Sequence, residues 1–213
     1  EAEFDKYKIA RMDVDSIRGK TAHDNLIQLF EQQRIDILVG TQMVVKGLDF
    51  DHVSLVGILD ADGLLSFTDF RVNERAFQLM EQVSGRAGRK HAQGKVLIQA
   101  INVKHPVLEL VQQHDYEKFY SYEIENRKEF FYPPFSRIVM LTLKHKDKKL
   151  VMAAAEKLSF LLRLDLKDFV VGPAAPVIGR LRNQYLMEIM LKLPKEPGRS
   201  IAYKKVIRNH INL

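Results

Sequence analysis

Cysteine and tryptophan are both absent from the 213 residues. Without cysteine there are no disulfides, no thiolate nucleophiles and no cysteine-based metal sites in this stretch, which fits a reducing, intracellular setting. No apolar run is long enough to cross a membrane, and no signal peptide opens the chain. Internal repeats and low-complexity tracts are missing too. The first residue is Glu1 rather than Met, so the stretch reads as a piece of something longer.

What is present is 46% hydrophobic, enough for one large domain or two modest ones. The net charge of +6 arises from 33 basic and 27 acidic residues, and its placement says more than its sum. Residues 178–213 hold Arg180, Arg182, Lys192, Lys195, Arg199, Lys204, Lys205 and Arg208 against only Glu188 and Glu196. The excess of that segment equals the excess of the whole chain. It points to an anionic partner there, with a solvated basic surface as the alternative.

The first part of the chain alternates strands and helices. Strands are predicted at 8–12, 35–39, 53–59 and 95–100. The third, almost wholly apolar, reads as covered on both faces. Thr21-Ala-His-Asp24 resembles a capping box opening a helix whose apolar face is Leu26, Ile27, Leu29 and Phe30. A second helix over 74–83 has Ala76, Phe77, Leu79, Met80 and Val83 as its buried stripe. This alternation predicts a parallel α/β sheet. After Pro106 come two predicted helices, 108–114 and 116–131. Tyr132-Pro133-Pro134-Phe135 stops the second, because proline lacks the amide donor and clashes with the preceding turn. A domain boundary is expected there, dividing 1–131 from 132–213. Beyond it the order is strand (136–144), helix (148–162), strand (169–172), strand (184–193), helix (200–209), a small α+β unit with a ferredoxin-like rhythm.

Two segments carry chemistry. In "DILVGTQMVVKGLDF", residues 36–50, an apolar strand runs into Gly40-Thr41 and then a cluster of hydrogen-bonding groups. Ligands of parallel α/β sheets bind beyond the carboxyl ends of strands, and glycine-loosened amides with a Thr hydroxyl can donate to phosphate. In "QVSGRAGR", residues 82–89, Arg86 and Arg89 each follow a glycine, and two guanidinium forks can surround one phosphoryl group. Read alone, the first segment is equally a turn, and the two arginines are equally surface partners of Glu74 or Glu81.

Taken in order, TQxxxKGxDF, an apolar strand and QxxGRxGR resemble motifs V and VI of superfamily 2 helicases. "GTQMVVKGLDF", "VGILDADGLLSFTDFRVNERAFQLMEQVSGRAGR", "YPPF" and "GPAAPVIGRLRNQYLMEIMLK" resemble the C-terminal part of the bacterial primosomal replication-restart helicases, over essentially the whole chain. The resemblance implies a RecA-like second motor lobe with a connecting helical segment in 1–131, and a DNA-binding α+β domain in 132–213. It gives Arg89 the role of arginine finger toward ATP, with Arg86 and Gln82 in the same interlobe site. Gly47 and Asp49 would couple nucleotide to DNA, and Thr41 and Gln42 would touch the DNA backbone. It further implies ATP and Mg²⁺ in the full-length enzyme, 3′-to-5′ unwinding, and branched and single-stranded DNA as substrates. Single-stranded DNA-binding protein and other primosome proteins are the implied partners, in a bacterial cytoplasm with no membrane. The family's P-loop, GxxxxGK(S/T), its DExH-type motif and its zinc-binding cysteines are all missing here, so the fragment is expected to hold no zinc and to be inactive alone.

Weaker candidates remain. Asp60-Ala-Asp62-Gly63 superficially suggests a calcium loop, but the later ligand spacing fails. Pairing with Arg71 and Arg75, or capping, is the expected role of these acids. The seven histidines show no metal spacing. Tyr116, Phe119, Tyr120 and Tyr122 are expected to pack between the two domains, with base stacking as the alternative. Arg180 and Arg182 in a loop-like stretch, and Lys204 and Lys205 on a helix, are the candidate DNA contacts of the C-terminal unit. A non-enzymatic nucleic-acid-binding or partner-docking module is the alternative to the helicase reading. The 82–89 segment discriminates the two, because it has a clear purpose only opposite an ATP-loaded lobe.

Overall fold

The computed structural model describes residues 5–12, 20–41, 52–85 and 94–211. The chain divides into two compact units, Glu1–Phe119 and Tyr120–Leu213.

In the first unit, β1 (Ile9–Met12) pairs in parallel with β2 (Ile37–Gly40). Strand β3 (Leu55–Ile58) pairs in parallel with β4 (Lys95–Ile98). The parallel pairing expected from the β/α alternation is present, as two two-stranded pieces among the described residues. Helix α1 (Lys20–Glu31) lays Leu26, Ile27 and Phe30 against Met12, Leu38 and Val53. Two details differ from expectation. The helix already includes Lys20, so Thr21 lies inside it and not at its N-cap, and Leu29 faces solvent. Among the described residues, strand β3 is covered on one face. Val56 and Ile58 are on the covered side, while Leu55 and, across the pair, Leu97 are exposed. The strand is apolar on both faces, yet the helical layer described beside it lies on one.

That layer starts with α2 (Ala61–Leu65) and α3 (Val72–Ser84). Ala76, Phe77 and Met80 of α3 are buried, with Leu79 and Val83 half-buried beside them. Helix α4 (Pro106–Gln113) begins earlier than its apolar pattern suggested. His105 accepts the Val107 amide at 3.3 Å as its N-cap, and Pro106 takes the first turn, where an amide donor is not needed. Helix α5 (Tyr116–Glu129) spans the division between the units. It stops two residues short of expectation, because Phe131 adopts φ 52° and the Tyr132 amide turns back to the Arg127 carbonyl at 2.7 Å.

The second unit is a two-layer α+β fold. Strand β5 (Ser136–His145), helix α6 (Lys148–Leu166) with a 3₁₀ turn (Lys167–Phe169), and strands β6 (Val170–Ala174), β7 (Arg180–Leu181) and β8 (Gln184–Pro194) lead into α7 (Arg199–Ile211). The sheet order is β5-β8-β6, with β7 folded onto β8, and every pairing is antiparallel. Alternation along β8 sends Ile189, Leu191 and Leu193 into a core shared with Leu162 and Leu166 of α6, Val170 and Ile207. Asp147 caps α6 by accepting the amides of Lys149 and Leu150 at 2.8 and 3.3 Å. Strand β6 is irregular at Gly172, whose φ is 96° and where a Cβ would stand 3.0 Å from the Glu188 carbonyl. The Gly172 carbonyl freed by that irregularity is taken by Ser159, at 3.2 Å, and by Arg163 of α6.

Candidate functional site

The described part of the motif V segment is its start. Thr41 follows β2 directly and is exposed at that strand's carboxyl end, where a strand-end ligand site belongs. Gln42, Gly47, Asp49, Arg86 and Arg89 lie outside the described residues. Gln82 occupies the last turn of α3 with its side chain toward solvent, and Gly85 closes the helix by donating to the Glu81 and Val83 carbonyls.

This helix end is firmly held. Phe77, one turn earlier, stacks on Phe119 of α5 with ring centroids 4.1 Å apart and planes 12° off parallel. Tyr116 leans on both rings. Glu81 receives His114 Nδ1 at 3.0 and 3.1 Å through its two carboxylate oxygens. The aromatic stretch of α5 therefore resolves in part. Phe119 packs within the first unit, on Phe77, and not between the domains as expected, whereas Tyr120 is largely exposed.

The acidic segment after β3 serves the backbone. Asp60, at φ 57°, caps α2 by accepting the Gly63 amide at 3.0 Å. Asp62 accepts the amides of Ile101 and Asn102 at 2.6 and 3.0 Å, tying the segment after β4 to α2. Those two bonds hold its carboxyl below the usual carboxylate value. Arg71 and Arg75 pair with Asp69 and not with Asp60 or Asp62. Arg75 lies 2.8 Å and Arg71 3.6 Å from its carboxylate. Burial works against ionising Asp69, but the Arg71 amide and the two guanidinium groups overcome it and its pKa is lowered. No group of His, Asp and Glu among the described residues could hold a metal ion.

In the second unit the basic residues sort into engaged and available. Lys192 lies 3.6 Å from the centre of the Tyr132 ring and donates to the Phe130 carbonyl at 2.7 Å. Arg199 pairs with Glu196 at 2.7 Å. Lys192 is thus tied to the fold, whereas the Arg199 pair lies at the surface with 65% of the arginine side chain exposed, a difference the charge count did not reveal. Arg180 is not in a loop. It pairs with Tyr185 across the β7–β8 hairpin, its guanidinium stands 5.0 Å over that ring, and it donates to the Asn183 side chain. Arg182, with Asn183, forms the two-residue turn, both at positive φ. Arg182, Lys204 and Lys205 are exposed. The arginines precede the 11-residue β8 and the lysines follow it, on α7. Lys148, at the start of α6, was not singled out from sequence. It lines a cavity of about 310 Å³ together with Arg180 and Tyr185.

The two units correspond to two known domain classes. Residues 2–91 match the helicase conserved C-terminal domain, and residues 128–211 match the primosomal protein N C-terminal domain. The replication restart protein PriA of Bacillus subtilis (strain 168) is 40% identical over 205 residues, 95% of this chain and 26% of that protein. The PriA proteins of Synechocystis sp. (strain PCC 6803) and Treponema pallidum (strain Nichols) are 38% and 40% identical over 90% and 92% of the chain, covering 23% and 30% of their own lengths. A helicase conserved C-terminal domain places the chain in the helicase superfamily. The chain belongs to the PriA family and corresponds to the C-terminal part of its members. It spans about a quarter of the length of these relatives.

Proposed function

We propose that this chain is the nucleotide-coupling and DNA-contacting part of an ATP-dependent 3′-to-5′ DNA helicase that engages branched replication forks and starts primosome assembly. The observation that carries the reading is the end of α3. A helix locked by Phe77 on Phe119 and by Glu81 on His114 presents Gln82 outward and leads directly into Gly85-Arg86-Ala87-Gly88-Arg89. That is a fixed base for residues that must meet a phosphoryl group held by another lobe. Arg89 is the finger that stabilises charge on the transferring phosphoryl, and Arg86 and Gln82 are its neighbours. Gly47 and Asp49 couple this site to Thr41 and Gln42 on the DNA backbone.

We read the two domains as 1–131, RecA-like with its connecting helical segment, and 132–213, although the compact units divide earlier, after Phe119 within α5. The second we read as ferredoxin-like, on the order β5-β8-β6 with helices on one side. It anchors branched and single-stranded DNA through Arg180, Arg182, Lys204 and Lys205. Single-stranded DNA-binding protein and other primosome proteins are its partners in the bacterial cytoplasm. When bound, ATP with Mg²⁺ supplies the driving reaction, and the residues present fit only one side of it. The chain has no P-loop and no acidic partner for Mg²⁺. The donor set does not fit zinc, because cysteine is absent and the described residues offer no alternative cluster.

The test is hydrolysis. Purified residues 1–213 will release no phosphate from ATP above background, with or without DNA, while the protein carrying a P-loop lobe will. DNA-stimulated release by residues 1–213 alone would refute the reading.

A further inference from the structure

The β7–β8 hairpin carries more than charge. Its turn is two residues long, Arg182 and Asn183 at φ 46° and 63°, the backbone of a tight hairpin whose twist matches its strands. The stem is fixed by the Arg180–Tyr185 and Leu181–Gln184 pairs, by the Leu186 amide on the Gly179 carbonyl at 3.0 Å, and by the Arg180 guanidinium over the Tyr185 ring. Leu181 of this stiff element is 56% exposed, and Val177 and Ile178, in the bend that leads into it, are 82% and 65% exposed. Along this stretch of chain the charge has one sign. Residues 173–187 contain Arg180 and Arg182 and no acid, and Lys148 joins Arg180 at the adjoining cavity.

Apolar side chains on a rigid projection flanked by cations match one feature of nucleic acid. Phosphates answer the cations, and an unstacked base face answers the apolar side chains at the base of the turn. In an intact linear duplex base faces are hidden in the stack, so Ile178 and Leu181 would gain nothing there. At a branch point the terminal pairs lose a stacking neighbour, and prying them apart is cheapest. We propose that the β7–β8 hairpin is a wedge that reads DNA branch points, with Ile178 and Leu181 against exposed base faces and Arg182 and Lys148 on the flanking phosphates. This rests on the DNA-binding reading of the second domain and adds to it the element that tells branched from linear DNA.

The experiment titrates residues 1–213 onto a three-way junction and a linear duplex of equal length across a salt series, with 2-aminopurine beside the branch. The expected wild-type result is tighter binding to the junction and a rise in 2-aminopurine fluorescence. Ile178→Ser with Leu181→Ser should remove most of that preference, on the order of tenfold for contacts to one or two bases, and abolish the fluorescence rise. It should leave linear-duplex affinity, salt slope and melting temperature unchanged, since both side chains are exposed. Arg182→Ala should weaken both substrates alike and shallow the slope of log affinity against log salt by roughly one. A double serine variant that keeps its junction preference and its fluorescence rise overturns the wedge and leaves the electrostatic reading intact. Wild-type protein that binds neither DNA at low salt overturns both.

Discussion

The two units solve the burial of apolar strands differently. The second gathers Leu162, Leu166, Val170, Ile189, Leu191, Leu193 and Ile207 from two helices and a sheet into one core. The first lays helices on one face of its described parallel strands and exposes large apolar side chains at their carboxyl ends, while the second exposes its own on α6 and α7, Phe160, Leu164 and Ile201 among them. Leu59 is 74% and Ile101 94% exposed at the carboxyl ends of β3 and β4. An antiparallel sheet tolerates a wet face, whereas parallel strands read as apolar on both. Among the described residues the first unit is held by contacts such as the Phe77–Phe119 stack beside the buried Met80, Val107 and Val111, and the second by one continuous core.

Breaking one lock and one core residue sharpens this contrast. Phe77→Ala should cost the first unit about 3–5 kcal/mol, because it empties the space beneath the buried Phe119 ring. Amide exchange should accelerate along α3 and α4 while β5 and β8 keep their protection. Leu162→Ala should cost about 2–5 kcal/mol, with the exchange pattern reversed. If either variant loosens both units equally, they are one cooperative body and the contrast fails.

Acid gives a smaller, more local probe. The Asp62 carboxyl is held below its ordinary value of 3.8 by the Ile101 and Asn102 amides. A group whose pKa is depressed by folding stabilises above its unfolded value and loses that contribution as pH falls through the folded one. Protection of the Ile101 and Asn102 amides should thus persist above about pH 4 and fade below it. In Asp62→Asn the fading should be absent and the protection low throughout. A wild-type acid profile surviving in Asp62→Asn would assign the effect to another carboxylate.

Much of the second unit was legible because its period is regular. The alternation in "QYLMEIMLKLP" and the helical spacing over α6 each point to one face, and both faces meet in the core. Three features were not legible. Helix α2 has five residues with a glycine in the middle, and its two acids resemble ligands until their amide partners, up to 40 residues away, are known. The β7–β8 turn is Arg-Asn, without the glycine that usually marks such a hairpin. The Phe77–Phe119 stack joins residues too far apart for any periodicity to connect. The candidate site was legible as motif order, while Gln42, Gly47, Asp49, Arg86 and Arg89 lie outside the described residues.

The division of labour between the units has one direct test, Arg89→Ala in the protein that also carries the P-loop lobe. A finger on the transferring phosphoryl is worth roughly 10³–10⁵ in rate. ATP turnover and unwinding should fall by about that factor, while nucleotide-free affinity for branched DNA, assigned to the second unit, stays within about a few-fold. Normal ATP turnover in Arg89→Ala would contradict the account.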